Sequence, residues 1–508
     1  MVLGIVEDMN KTAYGRRGVS ADHPLAVLAG IEVLESGGNA FDAAIAISSV
    51  LSVVHPFSGG LGGDGFLMAI AGDRIIAYNG SGRSPSGFDP EEYISKKPIR
   101  GSLTVTIPGL VEMWGYINDN HGRKDLGDLL RRSIALADNG FHADRMLASA
   151  VSRYRGELEA FDGWRRLYGG LGMGDLVRNR ELGNILRRIS SRGWDEFYYG
   201  RLSEEIASEL ERQGVGVSLD DLLDHEGFKV EPLKLDQGSR VLYELPPNSQ
   251  GLSTLQMISA IHELGIDKLE FSDPRRIDSW IEPLKAIYSF RDNNLGDPEY
   301  MSIDVARYAR YSSINPGEAV RHIETRGGDT TFFVVDDGEN LVGFIQSLYY
   351  PFGSGIVAKG MVLQNRGAGF SQKKSIPNSP SPRKRPLHTL SILMIVEDDW
   401  RSIYMIGCAG GDYRPQIHAR IYENIFVYNM DLGEAVNAPR FIFTDISRSS
   451  RVYIEEGLTD YSLSSGAEVV RGPRYGSTGL VNIAKRDMAK SYTVFAPDPR
   501  GAAVSIAV

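Results

Sequence analysis

A threonine hydroxyl is a weak nucleophile until a base takes its proton, and one position in this chain could supply that base from within the same residue. In Asp329-Thr330-Thr331, a cut before Thr330 would free an α-amine. Its reference pKa of about 7.7–8.0 lets it accept the hydroxyl proton near neutral pH. The preceding segment, SINPGEAVRHIETRGG (313–328), is polar, carries Pro316 and ends in Gly327-Gly328, the kind of exposed connection where chains are cut. The following segment, TTFFVVDDGENLVGFIQSLY (330–349), predicts two strands turned at Asp337-Gly338. Thr-Thr at a strand start is also what β-propensity alone produces. From these residues alone both readings stand.

Other candidate chemistry is thinner. Gly60, Gly62 and Gly65 match the G-x-G-x-x-G pattern, but a dinucleotide loop follows a strand and opens a helix. Here a helical pattern precedes and an alternating hairpin, FLMAIAGDRIIAYNG, follows. The order is reversed, which excludes the nucleotide reading and leaves close backbone approach as the reason for glycine. The one cysteine, Cys408, lies among small apolar residues and reads as a buried, inert thiol. The nine histidines include no pair at helical ligand spacing, so no metal and no cofactor is expected.

The elements that must carry this chemistry follow from periodicity. Residues 24–38 predict a helix stopped at Gly37-Gly38, and Asn39 caps a second, almost wholly apolar helix, AFDAAIAISSVLSVV, expected to lie buried between layers. From about 110 to 225 the pattern is helical and charged; 250–265 and 278–292 predict further helices. After residue 330 strand patterns dominate, among them GIVAKGMVLQN, LSILMIVEDDWRSIYMIGCAGG, RVYIEEG and AAVSIAV. Residues 371–386 form a Pro/Ser/basic loop expected to be solvated. With 55 Lys plus Arg against 65 Asp plus Glu, the net charge of −10 argues against nucleic acid as a partner. The N-terminus does not read as a signal peptide and no 18-residue apolar run appears, so a cytoplasmic location without membrane partners is expected.

A resemblance sharpens the first reading. TTFFVVDDGENLVGFIQSLYYPFGSGI resembles the start of the small subunit of γ-glutamyltransferases, and LESGGNAFDAAIAISSVLSVVHPFSGGLGGDGFLM resembles the opening of their large subunit. PPNSQGLSTLQM, KRPLHTLS, GCAGGDYRPQ and the late DPR fall in the family's order. The resemblance implies an N-terminal-nucleophile hydrolase with a four-layer αββα sandwich, an α+β fold of two antiparallel sheets between helices. It implies a precursor cut between Asp329 and Thr330 into a large subunit (1–329) and a small one (330–508), intertwined as one structural unit. It further implies that Thr330 is the nucleophile, that Ser347 supports it, and that the Gly410 and Gly411 amides hold the oxyanion, as two adjacent donors without side chains can.

The substrate pocket departs from the family pattern. The family's aspartate position is Gly369, its asparagine position Tyr349, its Ser-Ser pair His388-Thr389 and a glutamine position Arg366, while its large-subunit arginine falls near Ser81, with Arg83 two residues on. Losing the aspartate removes the partner of a substrate ammonium, and Arg366 adds positive charge. QNRGAGF, SGRSP and AGGD are closer to the cephalosporin-acylase-like branch. Arg83, Tyr349, Arg366, His388 and Thr389 are therefore the expected substrate-binding set, for a small-molecule amide with a γ-glutamyl or glutaryl-like acyl group. Alternatives are a true glutathione hydrolase or transpeptidase with an atypical pocket and a processed but inactive binding protein. A homo-oligomer of heterodimers is compatible with either enzyme.

Overall fold

Alternation in Thr331–Asp336 sends Phe332 and Val334 to one side of a strand and Phe333 and Val335 to the other. All four are buried, so both faces of this strand must be covered. A computed structural model of the chain, describing residues 12–314, 330–397, 400–446, 450–458, 463–474 and 478–508, meets that requirement with four layers. Asp329 and most of the connection expected before Thr330 lie outside the described residues.

In chain order, β1 (Ala13–Gly15) and β2 (Gly18–Ala21) lead to α1 (Pro24–Glu35) and α2 (Ala40–Val54). Then come β3 (Asp64–Ala71), β4 (Arg74–Gly80) and α3 (Leu110–His121), with further helices up to Arg212. β5 (Phe228–Lys229), β6 (Leu233–Gln237) and β7 (Arg240–Glu244) precede α4 (Gly251–Glu263) and α5 (Ile281–Asn294). After Thr330 the chain forms β8 (Thr331–Asp336), β9 (Asn340–Ser347), β10 (Leu393–Glu397) and β11 (Ser402–Ala409). It closes with α6 (Arg414–Phe426), β12 (Leu480–Asp487), β13 (Tyr492–Pro497) and β14 (Val504–Ala507).

Among the described residues the first sheet runs β14-β2-β8-β9-β3-β4-β5 and the second β1-β13-β12-β11-β10-β7-β6. Every pairing within these two sheets is antiparallel. Phe66, Met68, Phe332, Val334 and Ile345 of the first sheet meet Met394, Val396, Ile403, Met405 and Phe495 of the second in one apolar core. Gly407 has no side chain because the Phe332 ring from the facing sheet occupies its Cβ position. The opposite faces pack on helices. Phe333, Val335, Val342 and Phe344 meet α1, α2 and α3, while Leu242, Ile395, Ile406 and Ile483 meet α4, α5 and α6.

This is the αββα sandwich the resemblance implies. Each sheet draws strands from both sides of Thr330, so neither part of the chain owns a complete sheet. The expected caps are present. Asn39 accepts from the Asp42 amide while Asp42 returns a bond to the Asn39 amide, and all of α2 is buried. The glycine run at 60–65 packs backbone against backbone: a Cβ on Gly63 would stand 2.5 Å from the Ser347 carbonyl oxygen. In the apolar-rich stretch GIVAKGMVLQN, regular strand is limited to Val357–Ala358 paired with Met361–Val362. Lys359 and Gly360, both left-handed, form the two-residue turn between them.

Candidate active site

Three polar side chains sit in a row at one end of the inter-sheet core. Thr331 pairs with Gln346 across β8 and β9, so the next step of that register sets Thr330 against Ser347. Ser347 in turn pairs with Asp64 of β3. The period of two gives Thr330 the orientation of Phe332, Ser347 that of Ile345 and Asp64 that of Phe66, all facing the second sheet. Thr330 is 3% exposed. The start of β8 is fixed by Asp22, whose Oδ2 accepts from the Phe332 amide at 3.1 Å. Asn482 Nδ2 reaches both Asp22 Oδ1, at 2.6 Å, and the Phe332 carbonyl, at 3.0 Å.

From the second sheet, β11 ends at Ala409 and a single helical turn, Gly411–Tyr413, leads into α6. The Gly410 and Gly411 amides thus lie between a strand and a helix start, where amides have no intrahelical acceptor and the helix dipole is positive. Gly411 has φ +52°, a left-handed conformation that favours glycine, and a Cβ on Gly410 would collide with Ile417. The turn is pinned from behind. Gln250 Nε2 donates to the Gly411 carbonyl at 2.8 Å and the Thr389 carbonyl at 3.0 Å, Tyr288 Oη donates to the Asp412 carbonyl, and Arg291 pairs with Asp412 at 2.9 Å.

Two buried guanidiniums reach this place. Arg414, in the first turn of α6, donates from Nε to the Cys408 carbonyl at 2.8 Å and from Nη2 to Thr330 Oγ1 at 3.2 Å. Its Nη1 is buried with no partner among the described residues. Arg366 donates from Nη1 to Thr389 Oγ1 at 3.3 Å and lies 4.0 Å from the centre of the Tyr349 ring, while its Nε and Nη2 are buried without partners among the described residues. Tyr349 holds φ +81° and donates its amide to Ser347 Oγ at 2.8 Å. Burial pushes Arg366 down to about 10, opposed by Tyr349 and the Asp64 charge, so it stays protonated at neutral pH. Burial lowers Arg414 too, opposed by the neighbouring Cys408 and Glu244.

Two predicted residues remain, His388 and Arg83. His388 is fully buried and locked in place: its Nε2 lies 3.2 Å from Asp64 Oδ2, and its Nδ1 accepts from the Leu390 amide at 3.3 Å. Burial, with Arg366 and Arg414 nearby, holds it neutral, well below the usual histidine range. Asp64 also accepts from the Gly82 and Gly109 amides and from Gln364 Nε2 at 2.8 Å. Burial still pushes its carboxyl up to about 7. Arg83 is a surface residue paired with Glu299 and donating to the Arg383 carbonyl at 2.9 Å, with 30% of its side chain exposed. The contacts thus join Thr330, Ser347, Tyr349, Arg366, Thr389, Gly410 and Gly411, while His388 is held against Asp64 of the same row and Arg83 pairs with Glu299 at the surface. Sequence reasoning missed Arg414, Gln250, Asp64 and Asp22. Arg414 carried one signal, its position three residues after the Gly-Gly pair at a helix start.

Two face-to-face antiparallel sheets between helical layers, with a threonine heading a central strand, define the acylase fold of the N-terminal-nucleophile hydrolases. The structure superposes on cephalosporin acylase from Bacillus halodurans with a TM-score of 0.87 at 26% identity, covering 98% of this chain and 97% of that one. The family model described as gamma-glutamyltranspeptidase matches residues 26–508, and the chain belongs to that family. It is 33% identical over 460 residues to the glutathione hydrolase-like YwrD proenzyme of Bacillus subtilis, covering 86% of each. It is 31% identical over 447 residues to the oxamate amidohydrolase proenzyme of Klebsiella pneumoniae, covering 83% of this chain and 84% of the relative.

Proposed function

We propose that the protein is an autoprocessed N-terminal threonine amidohydrolase that cleaves amides whose acyl part carries a carboxylate. The supporting observation is the buried Thr330 hydroxyl heading β8, held by the Arg414 guanidinium at 3.2 Å. Maturation starts when Thr330 Oγ attacks the carbonyl of residue 329 and the C–N bond breaks in an N-to-O acyl shift. Water hydrolyses the resulting ester, leaving residues 1–329 and 330–508 as large and small subunits. In the mature site the freed α-amine takes the Oγ proton as Oγ attacks the substrate carbonyl. The Gly410 and Gly411 amides carry the oxyanion, with Ser347 beside Thr330. The amine leaves with the proton from the ammonium, and water then releases the acid and restores the hydroxyl.

Arg366, Thr389 and Tyr349 form the binding side. A guanidinium with two free buried donors suits a carboxylate, and the family's aspartate position is occupied by Gly369, so no acidic side chain there holds an α-ammonium. Glutaryl-like and shorter half-amides fit this better than γ-glutamyl groups. Relatives described as proenzymes favour processing, and the oxamate amidohydrolase among them acts on an acyl group of this type. A second reading, glutathione hydrolysis or γ-glutamyl transfer, draws on the relatives of that name, such as the Escherichia coli proenzyme at 27% identity. Intact-mass analysis tests the core of the proposal. Wild type resolves into two chains with amidase activity, and Thr330→Ala stays whole and inactive. Normal cutting or turnover by Thr330→Ala refutes it.

A further inference from the structure

Resting on the Thr330 reading, we propose that Arg414 is a specificity-determining residue that binds the substrate carboxylate beside the nucleophile and restricts the acyl group to half-amides of two- to four-carbon dicarboxylic acids. A buried guanidinium normally sits in an ion pair, because an unpaired charge in the interior is costly. Among the described residues neither Arg414 nor Arg366 has a carboxylate within ion-pair distance, and each lowers the proton affinity of its surroundings; Arg414 weakens protonation of Arg366 directly. Nη1 of Arg414 and Nε and Nη2 of Arg366 remain without partners. Two like charges close enough to act on each other, three idle donors and a helix N-terminus lie around Thr330. An anion there satisfies all of them.

The distances then set the length. A carbonyl carbon poised for attack stands about 3–3.5 Å from Oγ. A carboxylate oxygen bound to a guanidinium nitrogen stands about 2.7–2.9 Å from it. Nη2 of Arg414 is 3.2 Å from Thr330 Oγ1, and its planar neighbour Nη1 is idle. A carboxylate on the open edge of this guanidinium therefore lies in the same few ångströms as the scissile carbonyl. One C–C bond separates the two groups in an oxalyl amide, two in malonyl and three in succinyl. Four separate them in glutaryl and γ-glutamyl, each adding about 1.5 Å. The longer groups must fold back or use Arg366 alone. The hydrolysis balances as for any amide: Oγ–C forms, C–N breaks, the amine leaves protonated through the Thr330 α-amine, and water regenerates Oγ–H with release of the diacid.

The test uses the matured wild-type protein with oxamate, malonamate, succinamate, glutaramate and γ-glutamyl anilide, reading ammonia or aniline release as kcat/KM. The expected optimum lies at four carbons or fewer, at least tenfold above glutaramate. Neutral isosteres, oxamide and malonamide, fall about a hundredfold below their acids. Arg414→Gln collapses that acid-to-neutral ratio to about tenfold or less, mainly through KM, and Arg414→Lys restores part of it. A cut enzyme that prefers glutaramate or the γ-glutamyl anilide overturns the short-chain inference alone. So does an Arg414→Gln variant that loses acids and neutral isosteres equally, since that would assign Arg414 to the nucleophile and not to the substrate. An uncut, active wild type would instead count against Thr330.

Discussion

Replacing Arg366 by methionine should make the protein more stable while destroying its activity. Arg366 is fully buried, and burial holds it down to about 10. A shift of that size, at 1.36 kcal/mol per pH unit, means that the folded state disfavours the charged guanidinium by about 3 kcal/mol at neutral pH. Methionine removes the charge and keeps most of the volume of the aliphatic stem. Two favourable contacts are lost with it: the bond to Thr389 Oγ1, about 1 kcal/mol, and the stacking on Tyr349, about 0.5–1 kcal/mol. The balance favours the variant by about 1–2 kcal/mol, as when other buried ionic groups are exchanged for apolar ones. For a chain this long that is a rise of about 1–3 °C in Tm. The comparison belongs in a Thr330→Ala background, where one uncut chain unfolds in each sample, by calorimetry at a single scan rate. The cut enzyme carrying Arg366→Met is then assayed for amide hydrolysis. A fall in Tm of several degrees would refute the reasoning, because it would mean that Arg366 is a structural cation with a partner and not an unpaired charge held for a ligand.

Two further outcomes follow from the site and its surroundings. Gly411→Ala forces a side chain onto φ +52° and displaces an amide proposed to hold the oxyanion. Its kcat should fall about a hundredfold or more with KM little changed, measured on the cut enzyme. An equal rise in KM would assign the glycine to binding. His418, 3.1 Å from Glu244, has its pKa raised to about 9: burial opposes protonation, but the adjoining Cys408 and the Glu244 carboxylate outweigh it. A folded value above the unfolded one contributes stability that is full below about 6.5 and lost as pH rises through 9. Urea midpoints of the Thr330→Ala chain should drop between pH 6.5 and 9, and Glu244→Gln should flatten that drop. An unchanged slope in Glu244→Gln would dismiss the pair as its origin.

Local rules written in the chain were enough for the frame. Asn39 and Asp42 cap α2 because an amide and a carboxylate three residues apart satisfy each other's backbone. The β8–β9 hairpin turns where Asp337-Gly338 allows it, with Gly338 at φ +91°. The two-sided apolar alternation of TFFVVD already demanded a layer on each face. Thr330, Tyr349, Arg366, Thr389, Gly410 and Gly411 are singled out by family resemblance and not by such local rules, which leave Thr330 equally readable as an ordinary strand start. What depended on distant segments could not be read this way. Whether an arginine faces a pocket or a surface glutamate is settled by what the fold brings to it. Arg83 meets Glu299, 216 positions away, and turns outward. His388 meets Asp64 across 324 positions and is locked against it. Arg414 reaches Thr330 only because the second sheet delivers the start of α6 to the head of β8. The ionisable groups are given by residue type, but their partners, burial, protonation and hence roles are fixed by packing between segments far apart in the chain.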